Sequence, residues 1–217
     1  MIKTIATLFL TIAMFSNTTV VLTRTDYYFD LSFEKSMFVE ECVITEYKSE
    51  DDENFLWEIL VAEAPNEYIA AGILAYFWRE SNLRSDCVVG WDITKAHTGE
   101  DPCAEFTEML DSASKDEFIT IVRRAGGYGL GQWYSEVHLE EMYDYCKRWK
   151  TSFADAEMQC MFTIYGCMNN PDIWELLKDA NSAASAGRII GSLYDGSYAA
   201  ADVISARADS IYKERCK

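Results

Sequence analysis

Glu80, in the tripeptide Arg79-Glu80-Ser81, closes the most apolar helical stretch of the chain, NEYIAAGILAYFWRES. A carboxyl at the C-terminal end of such a helix meets the negative pole of the helix dipole and a low-dielectric surrounding, and both disfavour its charge. The spacing therefore predicts a carboxyl with a raised pKa, suited to a general acid that protonates the leaving oxygen of a glycosidic bond. The competing reading is an ordinary helix-end glutamate paired with Arg79 or Arg84. Asp86 and Asp92, in the loop that follows, are candidates for a second carboxylate; Asp92 is favoured because VVGWD sets it beside an aromatic. Solvated loop acids are the alternative for both.

The second feature is GGYGLGQW, residues 126–133, directly after the apolar run FITIV. Its glycine density suggests a phosphate loop, but the spacing fails. A dinucleotide fingerprint counted from Gly127 requires glycine where Gln132 stands, and counted from Gly126 it meets Tyr128. A P-loop needs Gly-Lys-Ser/Thr, whereas Gly131 precedes Gln132 and Trp133. The alternating glycines still call for positive φ or a close approach to the backbone.

Glu80-Ser81 at a helix end, followed across a loop by Gly127, Tyr128, Gly129, Leu130, Gln132 and Trp133, resembles the lysozyme-like superfamily, related to goose-type lysozymes and lytic transglycosylases. The likeness is greatest to the phage tail-associated lysozyme family and runs from about Asn54 to Tyr212. YIAAGILAYFWRESNL is similar to that family's Ala-Ala-Gly-Ile-Leu-Gly-Asn helix with its Glu-Ser end, AEMQCMFTIY to its Gln-Leu-x-Phe helix, and ARADSIYK to its Arg-x-x-x-Ala-x-x-Tyr close.

The resemblance implies an α+β, mainly α-helical, lysozyme-like fold with a small irregular or β element. It also implies cleavage of the β-1,4 bond between N-acetylmuramic acid and N-acetylglucosamine in peptidoglycan, with Glu80 as acid and either hydrolysis or cyclisation to an anhydro sugar following. Gly127 and Gly129 then read as a bare backbone wall for the sugar chain. Gln132 either lines the groove or opens a helix, and Tyr128 and Trp133 either stack on sugar faces or pack in the core. One departure stands out: Ala75-Tyr76 replaces the family's Gly-Asn pair, crowding the helix face. A lysozyme-like domain that has lost catalysis and serves as a binding or structural part of a phage particle is the alternative. A disulfide-stabilised secreted binding protein is a third.

These residues must be positioned by a largely helical frame. FLWEILVAE (55–63) reads as a short amphipathic helix, and Pro65 suits the first turn of the helix that ends at Glu80. Residues 84–101 read as a loop or small hairpin, CAEFTEML as a short helix capped by Asp101-Pro102, and FITIV as a strand or a buried helical turn. Beyond Gln132 helices follow one another: WYSEVHLEEMYDYCKRWK, then segments capped by Ser152, Asn170 and Asn181, then YAAADVISARADSIYKE.

The chain of 217 residues has 49 % hydrophobic residues and 3 prolines, which fits one globular domain plus a leader. Residues 1–22 read as a signal peptide or membrane anchor, their apolar stretch being too short to span a bilayer. Residues 23–53 read as an extension ending in the acidic run EYKSEDDEN, and 54–217 as the catalytic domain. A formal charge of −17 and a pI near 4.4 argue against nucleic acid and anionic membranes as partners. That charge also opposes encounter with an anionic wall, so delivery by a larger particle or another binding module is expected; the resemblance adds other virion or tail proteins as partners and an exported or virion-associated location. Membrane contact is expected only through the N-terminal segment if it is retained.

The seven cysteines predict disulfides, with Cys87–Cys103 the favoured pair, in preference to a thiol nucleophile built from Cys87 with His97 or from any cysteine with His138. No Cys-x-x-Cys pair is present and His97 and His138 are the two histidines, so neither a metal site nor a cofactor is expected.

Overall fold

The structure, a computed structural model, describes residues 50–88, 102–194, 196 and 198–216. The leader, most of the extension, Asp92, His97 and Cys42 lie outside the described residues. Nine α-helices are found among them: α1 (Glu50–Glu63), α2 (Glu67–Ser81), α3 (Pro102–Ser112), α4 (Lys115–Ala125), α5 (Glu136–Trp149), α6 (Ala156–Asn169), α7 (Pro171–Lys178), α8 (Ala183–Ile189) and α9 (Tyr198–Arg215). α8 runs on into a π-helical turn, Ile190–Tyr194.

α2 is the axis of the fold. Asn66 caps it by accepting from the Ile69 N–H at 3.0 Å, and Asn82, in the left-handed region at φ 52°, ends it. Every residue from Ile69 to Phe77 is buried, so the helix is apolar all round. α8 and α9 pack against it and against each other. Gly72 lets the α2 and α8 backbones approach, since a Cβ there would lie 3.1 Å from the Gly187 nitrogen.

FITIV belongs to a helix, which settles the strand-or-helix alternative. Ser114 and Glu117 form a capping box, Phe118, Val122 and Ala125 are buried at i, i+4 and i+7, and Gly126 at φ 84° stops α4. Local start and stop signals here outweigh the β-branched composition. Among the described residues no strand is present; the β character is confined to two isolated antiparallel bridges, Val88 with Tyr128 and Tyr128 with Trp133. The expected mainly α-helical character is thus present, while the small β element of the expected α+β fold amounts, among the described residues, to these bridges. Asn170 caps α7 as expected, whereas Asp155 and Ser182, not Ser152 and Asn181, cap α6 and α8.

The acidic run before Asn54 is not all solvated, because α1 begins at Glu50. Glu53 is buried and pairs with two arginines of α9, Arg207 at 3.1 Å and Arg215 at 3.2 Å. The guanidiniums also lie over the rings of Trp78 and Trp57, at 5.5 and 5.6 Å. The first and last helices of the domain are clasped by this group.

No disulfide joins the cysteines among the described residues, so the predicted Cys87–Cys103 bridge is corrected. Cys146, Cys160 and Cys167 instead fill core positions as small apolar side chains. Burial pushes Cys146 and Cys167 up to about 12 and raises Cys160 as well.

Two outcomes follow from this packing. Glu53→Ala leaves two guanidiniums without their buried carboxylate and lowers stability by about 3 kcal/mol in chemical denaturation. The folded state keeps the protons of the core thiols where the unfolded chain, with thiols near 9.0, releases them. Their stabilisation is therefore full below pH 9 and is lost as pH rises towards 12, which denaturation midpoints measured from pH 7 to 11 will register as a decline above pH 9.

Candidate functional site

Glu80 occupies the last turn of α2 with its side chain 5 % exposed and its Oε1 3.6 Å from Nη1 of Arg79. Burial works against a charge on that carboxyl and the guanidinium works for one, so both sequence readings of the residue have a physical counterpart here. Ser81 turns inward and donates to the Phe77 carbonyl at 3.0 Å. Arg84 engages Asp86 instead of Glu80, through two bonds of 3.1 and 3.0 Å. Asp86 is thereby committed to a bidentate ion pair at the surface and holds Arg84 well above its ordinary pKa, chiefly through that hydrogen bond.

The segment 127–133 is joined to this turn from below. Tyr76 precedes Glu80 by four residues, on the same face of α2, and its hydroxyl donates to the Gly131 carbonyl at 2.7 Å. Phe77 meets the Trp133 ring edge-on at 6.4 Å. Tyr128 and Trp133 exchange backbone hydrogen bonds of 3.3 and 3.2 Å, and Gln132 N–H returns to the Gly129 carbonyl at 3.2 Å, closing a tight hairpin-like turn. Gly129 N–H donates to the Cys87 carbonyl at 2.9 Å, so the turn is also tied to the loop after Glu80.

The glycines of this turn are occupied by protein. A Cβ on Gly127 would lie 2.7 Å from the Gln132 carbonyl oxygen, one on Gly129 would lie 2.7 Å from the Gln159 amide, and one on Gly131 would meet the Trp133 ring at 2.5 Å. The expected bare wall for a sugar is therefore a tightly filled bracket, and the glycines are needed because side chains fill the space beside them. Tyr128 is fully buried and Trp133 is 2 % exposed, so neither presents a ring face to solvent. Tyr128 packs against Phe106 and shares a 2.7 Å bond with Thr107, while Trp133 donates to the Tyr194 hydroxyl at 3.3 Å. Burial raises the pKa of both phenols, Tyr128 and Tyr194.

Gln132 is likewise buried. Its Nε2 donates to the carbonyls of Gly129 at 2.7 Å and Cys87 at 3.1 Å, and its φ of 47° lies in the left-handed region. Because both Nε2 protons face carbonyls, the amide orientation is fixed. Gln132 neither opens α5, which Ser135 caps, nor lines an open surface.

Gln159 of α6 had no assigned part in the sequence reading, yet it holds the site together. Its Oε1 accepts from the Leu130 N–H at 2.6 Å, and its Nε2 donates to Ser85 at 2.7 Å and Phe153 at 2.5 Å. The available signals were the glutamine of the Gln-Leu-x-Phe likeness and an amide in the first turn of an apolar helix, since a buried polar group must be hydrogen-bonded. Tyr76 was marked as crowding the helix face, but its ring is buried and its hydroxyl satisfied. Asp92 lies outside the described residues. Among the described residues no group of three His, Cys, Asp or Glu side chains is placed to hold a metal ion.

A mainly helical domain whose buried central helix ends in a sequestered glutamate and is tied through Tyr76 and Phe77 to a glycine-rich bracket is consistent with a lysozyme-like fold. The chain belongs to the phage tail lysozyme family, whose model matches residues 52–214. That membership supports a lysozyme-like function directed at peptidoglycan. No curated protein and no solved structure matches it.

Two glycines separate steric filling from backbone strain. Gly129 and Gly196 both have positive φ, 78° and 73°, but a Cβ at 196 meets nothing within 4 Å. Gly196→Ala is expected to cost about 1 kcal/mol for the left-handed backbone alone. Gly129→Ala adds displacement of the Gln159 amide and costs about 3 kcal/mol, as equilibrium unfolding of the two variants will show.

Proposed function

We propose that the chain is a peptidoglycan glycosidase that cleaves the β-1,4 bond between N-acetylmuramic acid and N-acetylglucosamine, with Glu80 as general acid. The observation that carries this reading is the placement of Glu80: a carboxyl 5 % exposed at the end of the central helix, in a chain of the phage tail lysozyme family. In the first step Glu80 gives its proton to the glycosidic oxygen as the bond to the anomeric carbon breaks. The cationic sugar is then captured either by water, with Asp92 as the proposed base, or by its own 6-hydroxyl to give an anhydro end. Gly127, Gly129, Gln132, Tyr128 and Trp133 support the turn beside Glu80 from within. Their proposed part is to hold the groove floor, with backbone rather than rings nearest the substrate.

One observation favours a second reading, a lysozyme-like binding or structural component of a phage particle. Residues 127–133 are all buried, so the glycine turn offers no open wall of its own. Digestion of purified peptidoglycan with mass analysis of the products decides between them. Glu80→Gln should cut the cleavage rate by about a hundredfold or more, the usual range for loss of a general acid. Equal digestion by both proteins removes Glu80 from the mechanism, and no digestion by the wild type supports the second reading. Anhydro ends identify a transglycosylase and reducing ends a hydrolase.

A further inference from the structure

On the face shared by α5 and α6, Trp149 is 62 % and Tyr165 42 % exposed, with the half-buried Tyr145 ring between them at 6.3 and 6.0 Å. Phe162 supports Tyr145 at 6.1 Å, and exposed Met168 extends the face one turn past Tyr165. Tyr145 and Trp149 are four residues apart, as are Met161 and Tyr165, so each helix presents one stripe. Large aromatics exposed together mark an interaction surface, because water contact with them is unfavourable.

The charge next to Trp149 is opposite in sign to that of the chain as a whole. Lys147, Arg148 and Lys150 surround Trp149, and no acidic residue occurs from Tyr145 to Ala154 in a chain of net charge −17. Met158 to Asn169 carry no charge at all. Lys147 is turned away, donating to the Asp111 carbonyl at 2.9 Å and lying over the Tyr143 ring. Arg148 and Lys150 are exposed and enter no ion pair among the described residues. The acidic border is marked by Asp144, which pairs with Lys115; by Asp155 and Glu157, which precede the uncharged run; by Glu141; and by Glu63, whose charge reaches Tyr145.

We propose that this face is a second, non-catalytic binding surface for the glycan strands of peptidoglycan. Sugar rings offer C–H faces that pack on Trp149 and Tyr165, and the carboxylates carried by the strand pair with Arg148 and Lys150. The ligand chemistry matches on both counts, since a wall strand combines apolar ring faces with anionic groups. It also gives an acidic protein one point of favourable approach to an anionic polymer. The inference rests on peptidoglycan being the substrate, not on Glu80 being the acid.

The test is co-sedimentation of the full chain with purified sacculi, in the Glu80→Gln background so that the wall stays intact. Trp149→Ala with Tyr165→Ala should weaken retention about tenfold, the scale of two lost stacking contacts, while Trp149→Phe with Tyr165→Phe retains most of it. Arg148→Glu with Lys150→Glu should weaken retention at low salt and flatten its salt dependence. With Glu80 present, turnover of short soluble glycan fragments is unchanged by either pair, and thermal midpoints confirm folding. Undiminished retention in both pairs overturns the proposal. So does face-dependent binding to phosphatidylglycerol vesicles without binding to sacculi, or face-dependent self-association. Digestion that survives Glu80→Gln removes the catalytic assignment alone, and retention is then read in the cold, before the wall is cut.

Discussion

The amide of Gln159 joins three parts of the chain that share no helix: the turn at Leu130, the loop at Ser85 and the α5–α6 connection at Phe153. It does so from a fully buried position, where an unmade bond to any of these backbone groups costs about 1–3 kcal/mol. Much else follows from that one group. Gly129 must lack a side chain because the amide occupies its place, Tyr128 and Trp133 can pair only if the turn between them stays tight, and Cys87 is held by the same turn. The loop that leaves α2 after Glu80 is therefore fixed at Ser85 and again at Cys87, so the chain is held on both sides of Glu80.

Most of the helical frame was legible because its signals are local. Asn170 reads as a cap and does cap α7, and the buried stripe of α2 is nearly continuous, whereas Pro65, expected in the first turn of α2, lies before its cap Asn66, and FITIV reads as strand or helix until Phe118, Val122 and Ala125 are found buried on one face. Where caps were misassigned, at Ser152 for Asp155 and Asn181 for Ser182, several cap-competent residues stand within three positions and only the folded backbone chooses between them. The start of α1 was hidden for a different reason. Glu53 reads as one more solvated acid until Arg207 and Arg215, more than 150 residues later, are brought beside it. The cysteines misled because export suggests bridges, whereas Cys146, Cys160 and Cys167 behave as core side chains.

At the candidate site, residue types pointed to Glu80 and the glycine turn, and long-range packing determines how that turn is filled. Glu80 and the glycine turn were recognisable, and α2 carries the residue before Glu80 on its face, Tyr76, straight to Gly131. What residue types could not convey is which side of the turn faces protein. Alternating glycines look alike whether they make room for a sugar or for Gln159 and Trp133, and an aromatic beside them looks alike as a platform or as core. Burial decides both questions, and burial depends on α3, α6 and the π-helical turn that delivers Tyr194.

The Ala75-Tyr76 departure takes on a different meaning in this light. A tyrosine one turn before the candidate acid would obstruct a groove if its ring lay at the surface, but it is 2 % exposed and packs edge-on against Tyr194 at 5.7 Å. Its hydroxyl ends on the Gly131 carbonyl, 2.8 Å from where a Cβ of residue 131 would be. Tyr76 and Gly131 are thus complementary: the phenol fits because residue 131 has no side chain, and the turn gains a buried hydrogen bond from α2. Tyr76 braces the glycine turn from α2 and leaves its ring in the core. Loss of catalysis, if it has occurred, has therefore to be sought in the second carboxylate or in the closed turn, and not in the bulk of Tyr76.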